Sequence, residues 1–375
     1  VTHFRQALAL LITAGISAHP ARGATETVIY NFQGSSDGGE PQASLIQMGG
    51  VLYGTASKGG AYGHGAVFAV TPGGGESVVY SFAGGQDGAD PLAGLVAVNG
   101  TLYGTTYAAG ANNNGTVFSV TTAGVEHVLY SFAGGTDGNS PITGLVDAGG
   151  VLFGTTSLGG TGGCVNGCGT VFSITLAGTK TKLHDFAGAD GQYPYSDLIR
   201  LGHRFYGTTY AGGAHGGGVA FSVTADGTVK VVHSFGAGTD GATPFGPLLA
   251  WQGTLFGTTS LGGASDDGTV YALTPAGTET VLHSFAGGKD GSRPVAGLVR
   301  RGRSLYGTTL NGGKNNAGTV FSLQSNGAEK VLATLGTGAE AKYPYCSLAV
   351  IGKTFYGTSL EGGTNNSGTI FSIVP

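Results

Sequence analysis

Along most of the chain, short apolar runs alternate with breaks rich in Gly, Asn and Asp, and apolar positions nowhere recur at a helical spacing. Residues 91–132 show the unit. PLAGLVAV, TLYGTTY, GTVFSV and EHVLYSF are rich in β-branched and aromatic residues and read as four strands. Between them Asn99-Gly100, the AAGANNNG loop and TTAG provide residues that accept the positive φ of tight turns. The strands are apolar on both faces, so each predicted sheet must be covered on both sides.

The unit recurs. The aromatic of a (Y/F)GT triplet stands at Tyr53, Tyr103, Phe153, Tyr206, Phe256, Tyr306 and Tyr356, spaced by 50 residues except for one interval of 53. A four-stranded sheet of that length, covered on both faces and repeated, describes a propeller blade. The Gly inside each YGT strand is expected to let an aromatic of the neighbouring blade approach the backbone. ETVIYNF (residues 26–32) is a fourth strand without the three that should precede it. The last repeat, PYCSLAV, KTFYGTS and GTIFSIV, lacks a fourth. The two deficits are complementary. The expected fold is therefore an all-β, seven-bladed β-propeller over residues 25–375, its four-stranded blades closed into a ring by the N-terminal strand completing the last blade. In that ring the Pro-led strand lines the channel and the fourth strand is outermost.

Composition refines this picture. Of 375 residues 75 are Gly and 10% are charged, which would suggest disorder were 40% of the chain not hydrophobic and placed at fixed positions. A net charge of −4 offers no footprint for nucleic acid or a membrane surface. Residues 1–24 stand apart: Arg5 precedes an apolar run containing ALALLITAGISA, and small residues follow. That is the layout of a secretory signal peptide, and the run falls short of the roughly 20 residues of a transmembrane span. A secreted, periplasmic or cell-surface monomer is expected. In such an oxidising compartment Cys164 and Cys168, within a GGCVNGCG insertion peculiar to one repeat, should form a disulfide, and Cys346 should be a buried thiol.

As a set, the (L/Y)YGTT, GG, GTVF and DG…P motifs resemble the GloVer tandem repeat, named for Gloeobacter and Verrucomicrobia, over residues 26–374. The resemblance implies a propeller-like protein exported by bacteria, at or beyond the cell surface. It transfers no catalytic residue.

An acid stands four residues before the blade-opening proline in every copy: Asp37, Asp87, Asp137, Asp190, Asp240, Asp290 and Glu340. These acids are expected to close turns with the Gly that follows most of them, because the loops lack the alternating acids of a calcium loop. Tyr30, Tyr80, Tyr130, His184, His233 and His283 share one position near the end of the fourth strand and read as an amphipathic packing site with a wet edge, not as metal ligands. Neither a metal site nor a cofactor is expected.

A site for one ligand must break the sevenfold pattern. Residues that do so cluster around the blade-opening prolines: Tyr193, Tyr195, Phe245, Arg293, Tyr343 and Tyr345. Asp197 is the one acid at its position in the channel-lining segment, where other copies carry Ser44, Gly94, Gly144, Pro247, Gly297 and Ser347. Aromatics with one Asp and one Arg at a channel mouth suit a sugar. A basic group, Arg200, His203, Arg204, Arg300, Arg301 and Arg303, falls in turns on the opposite face. No Ser-His-Asp order, P-loop, dinucleotide fingerprint or HExxH occurs, and a single carboxylate is not a glycosidase pair. No catalytic residue is assigned. The sequence favours an exported, non-catalytic binding module that takes a glycan or surface protein at the channel mouth. The alternative is an extracytoplasmic propeller enzyme, a polysaccharide or lactone lyase or hydrolase that would use Asp197.

Overall fold

The computed structural model describes residues 24–324 and 327–375. Apart from Ala24, the segment expected to be a signal peptide lies outside the described residues. Seven four-stranded antiparallel sheets form a ring, as the repeat pattern predicts. Blade 1 runs outward from the channel as Ile46–Met48, Val51–Ala56, Ala66–Val70 and Glu76–Ser81. In blade 7, Thr25–Asn31 pairs antiparallel with Thr369–Val374, setting Val28 opposite Phe371, and completes the sheet of Ala349–Ile351 and Thr354–Ser359. Across the same closure the Thr358 hydroxyl donates to the Ala43 carbonyl at 3.1 Å.

The core sits between blades. Tyr53, Val67 and Phe82 of blade 1 form one cluster with Leu102, Phe118 and Val120 of blade 2, and six further clusters straddle neighbouring sheets in the same way. Phe82 meets Phe118 edge-on with ring centroids 5.0 Å apart, a contact repeated by Phe132 with Phe172 and by Phe285 with Phe321. Each of these rings is fully buried, which contributes about 1.5–3 kcal/mol per side chain.

The YGTT motif has a physical reading at its Gly and at both Thr. The Gly makes room for an aromatic of its own sheet, not of the neighbouring blade as expected. A Cβ on Gly104 would stand 2.7 Å from Phe118 Cζ and 2.9 Å from Leu95 Cδ2, both in blade 2. Cross-strand pairing of Gly104 with Phe118 lays that ring over the glycine. The first Thr stitches blade to blade: Thr55 donates to the Ala93 carbonyl at 2.8 Å and Thr105 to the Thr143 carbonyl at 3.0 Å. The second Thr stays within its sheet, where Thr106 Oγ1 lies 2.8 Å from Thr116 Oγ1.

The innermost strand is shorter than PLAGLVAV suggests; in blade 2 it is Val96–Val98. Proline brings no N–H to a ladder. The residue before it has positive φ in every copy, 54° at Asp90 and 57° at Tyr193 and Tyr343. Its amide is tied to a loop of the preceding blade, as when Tyr193 N–H donates to the Cys168 carbonyl at 2.9 Å. Since all seven copies share this conformation, it belongs to the architecture and marks no site.

Candidate functional site

One end of the channel opens into a cavity of about 330 Å³. Blades 1, 2, 3 and 6 line it with Gln42, Leu92, Ile142 and Val295, at the position just after the blade-opening proline. Blades 4, 5 and 7 place Tyr195, Phe245 and Tyr345 there. Phe245 bridges the other two, with ring centroids 5.3 Å from Tyr195 and 5.4 Å from Tyr345.

The aromatic residues come with a backbone consequence. The first-Thr stitch reaches the inner strands of blades 1, 2, 3 and 6, through the carbonyls of Ala43, Ala93, Thr143 and Ala296. It is missing at the three inner strands that carry aromatics. Thr155 bonds the Thr143 hydroxyl within its own blade. Thr208 Oγ1 and Thr308 Oγ1 are buried without a hydrogen-bond partner among the described residues. A buried hydroxyl left unpaired costs on the order of 1–3 kcal/mol. The chain therefore gives up ring stability where it builds the aromatic wall.

Asp197 lines both this cavity and a second one bounded by the inner strands Ile46–Met48 and Ala349–Ile351. The Gly144 amide of the neighbouring blade donates to Asp197 Oδ1 at 2.6 Å. Gly144 gives the carboxylate room, since a Cβ there would stand 3.1 Å from Asp197 Oδ2 and push it aside by a few tenths of an ångström. Burial pushes the Asp197 carboxyl above its ordinary range, with the Gly144 bond opposing. Burial also raises the phenol of Tyr195 and takes that of Tyr345 to about 12. Both phenols are hydrogen-bond donors at neutral pH.

Of the residues singled out in the sequence, the structure brings Tyr195, Asp197, Phe245 and Tyr345 together in one cavity. Tyr193 does not line it; its ring lies 6.5 Å from that of Tyr195 between centroids. Arg293 and Tyr343 do not line it, and Arg293 is exposed. Sequence reasoning missed Tyr107 and Tyr210, which follow YGTT where other copies carry Ser or Leu. Tyr107 lines the cavity and Tyr210 lies 5.3 Å from Tyr195; they are 39% and 37% exposed. The signal was present: tyrosine occupies that position in only two of seven copies.

The other expectations fall outside this cavity. Cys164 and Cys168 form a disulfide with Cα atoms 5.1 Å apart, and Cys346 is a buried free thiol. On the opposite face Arg300 lies over the Trp251 ring at 5.2 Å and Arg204 Nε donates to Ser222 Oγ at 3.0 Å. The acidic turns form as expected; the Ala83 and Ala133 amides donate to Asp87 and Asp137 at 2.6 and 2.8 Å. The Tyr/His position, read as an amphipathic packing site, turns its polar end to these acids: Tyr80 donates to Asp87 at 3.0 Å, and His184 Nε2 lies 2.7 Å from Asp190.

The Gloeobacter/Verrucomicrobia repeat matches residues 16–166 and 161–303, well over half of the sequence. The chain belongs to that repeat family. A search of curated proteins by sequence finds no match. Among solved structures, this repeat protein is similar to a puromycin-hydrolysing peptidase of Mycobacterium tuberculosis, with TM-score 0.54, 11% identity and coverage of 88% of this chain and 50% of that one. A puromycin hydrolase gives TM-score 0.53, 15% identity and coverage of 87% and 50%. A Trypanosoma rangeli sialidase gives TM-score 0.48, 13% identity and coverage of 93% and 59%. The chain thus spans about half to three-fifths of the length of these structures, and at such identities the likeness concerns the fold alone. No helix among the described residues is long and apolar enough to cross a membrane.

Proposed function

We propose that this repeat protein is an exported, non-catalytic binding module that holds a glycan in the aromatic channel mouth. The observation that carries the reading is the concentration of Tyr107, Tyr195, Tyr210, Phe245 and Tyr345 around one cavity, above a single recessed carboxyl group. Rings of this kind offer flat apolar faces to the C–H surfaces of a sugar, while phenols and one carboxyl fix its hydroxyls. Asp197 is the one carboxylate lining the cavity, and glycoside hydrolysis ordinarily takes two. Export is proposed from the character of residues 1–24.

The enzymatic alternative rests on the elevated pKa of Asp197, which would suit a proton donor. A glycan array probed with wild type and with Asp197→Asn separates the readings. Binding without product release, weakened in Tyr345→Ala, is the expected result. Product release by wild type that disappears in Asp197→Asn would replace the binding module with an enzyme.

A further inference from the structure

The outer rim holds a second set of chemistry-bearing residues, far from the channel. In five blades the first or second residue of the outermost strand is a glutamate close to the acid of the preceding loop: Glu76 by Asp37, Glu126 by Asp87, Glu279 by Asp240, Glu329 by Asp290 and Glu26 by Glu340. Each of these glutamates keeps one buried oxygen without a hydrogen-bond partner among the described residues. Blade 3 shows what the arrangement lacks. There Lys180 replaces the glutamate, and its Nζ sits 2.6 Å from Asp137 Oδ1 and 2.8 Å from the Asp137 carbonyl oxygen. A positive charge carried by the chain fills the place between strand and loop.

At two junctions the pair of carboxylates is joined by an imidazole. His233, Asp240 and Glu279 each offer a ligand atom within 4.8 Å of the others, and so do His283, Asp290 and Glu329. Asp240 is the more telling case. Its side chain is 9% exposed, Oδ2 lies 3.0 Å from His233 Nε2, and among the described residues neither the buried Oδ1 nor Glu279 Oε1 has a hydrogen-bond partner. Two carboxylates brought together in a site poor in water repel one another unless a proton or a cation intervenes.

We infer that the His233–Asp240–Glu279 and His283–Asp290–Glu329 clusters each bind one divalent first-row transition ion of the zinc type. The imidazole selects the class, because calcium and magnesium take oxygen ligands whereas zinc and its neighbours accept nitrogen together with carboxylate. His233 and His283 are 20% and 19% exposed, so water can complete the coordination. Each ion joins the end of one blade, the loop after it and the start of the next blade's outer strand, bracing two consecutive junctions. The proposal departs from the expectation that the chain holds no metal, because the third ligand comes from the following blade and is distant in sequence. The chain also carries its own controls. At the equivalent junction His184 and Asp190 are paired, but the next outer strand opens on Val229 in place of the third ligand, and Tyr80 and Tyr130 replace the imidazole elsewhere.

The test uses the full chain without an affinity tag, stripped with a chelator, dialysed against zinc chloride and analysed for bound metal, with melting temperature recorded alongside. Two zinc ions per chain and a raised melting temperature are expected. Glu279→Val and Glu329→Val, each copying the residue at Val229, should remove one ion apiece, as should His233→Tyr. Val229→Glu should add an ion beside His184 and Asp190, a gain that misfolding cannot produce. Zinc content near zero, or unchanged in the Glu279→Val/Glu329→Val double variant, would overturn the assignment. Retention of calcium but not zinc would overturn it as well.

Discussion

The inner strands of blades 1, 2, 3 and 6 are stitched to the blade before them by a threonine hydroxyl, and those of blades 4, 5 and 7 are not. Everything else about the two groups is nearly the same: the αL residue before the proline, the buried Leu that follows, and the Phe or Tyr lying over the YGT glycine. What differs is the pair after the proline: Gln, Leu, Ile or Val followed by Ala or Thr in the stitched group, and Tyr195-Ser196, Phe245-Gly246 or Tyr345-Cys346 in the other. The same substitution that forms the aromatic wall accompanies the loss of a hydrogen bond from the ring. Departure from a repeat at a measurable structural cost is the pattern expected where a scaffold is adapted for a ligand.

The largest effect should come from the part the two groups share. Phe118→Ala removes a fully buried ring at the junction of blades 1 and 2, and should cost about 3–5 kcal/mol in denaturant unfolding. Ligand binding should survive wherever the variant is folded. A loss below 1 kcal/mol would mean that the inter-blade clusters do not hold the ring.

A smaller effect separates the groups directly. Thr105→Val deletes a stitch and leaves the Thr143 carbonyl without that donor, for a cost of about 1–2 kcal/mol. Thr308→Val removes a hydroxyl that is buried without a partner, so it should be neutral or stabilising by up to about 1 kcal/mol. Equal destabilisation by both would erase the distinction. Tyr345→Leu gives blade 7 the residue type of Leu92. Thermal stability should change by less than about 1 kcal/mol, while glycan binding should fall at least tenfold by calorimetry. Unaltered affinity would remove Tyr345 from the site.

The smallest effect concerns the rim. Burial raises Glu26, Glu76 and Glu126 to about 7 from 4.5. The folded chain therefore keeps these protons to higher pH than the unfolded chain does. Their stabilising contribution is complete below about pH 4.5 and is lost as pH rises through 7. The melting temperature should fall across that window, and Glu76→Gln with Glu126→Gln should flatten the fall. A profile unchanged by the double substitution would contradict it.

The ring was legible in the sequence because it is repeated. Seven copies of one strand pattern reveal blade number, strand order and closure even where a single copy would be ambiguous. The half of the site made of Tyr195, Asp197, Phe245 and Tyr345 was legible as departures from that pattern. Tyr107 and Tyr210 were missed because they lie in a different loop of the repeat, and only the fold brings that loop beside the proline. The stitches were hidden for the same reason: Thr105 and Thr143 are distant in sequence, and their bond exists only once blades stack. The partnership of Tyr80 or His184 with the turn acids needed the β-bulge near the end of the outer strand, which interrupts simple alternation.

The most direct measurement is a crystal soaked with mixed oligosaccharides and inspected at both ends of the channel. Sugar density stacked on Tyr195, Phe245 or Tyr345, with a hydroxyl directed at Asp197, is the predicted result. Density confined to the Trp251 face, or an empty mouth at ligand concentrations that saturate binding in solution, would contradict the account.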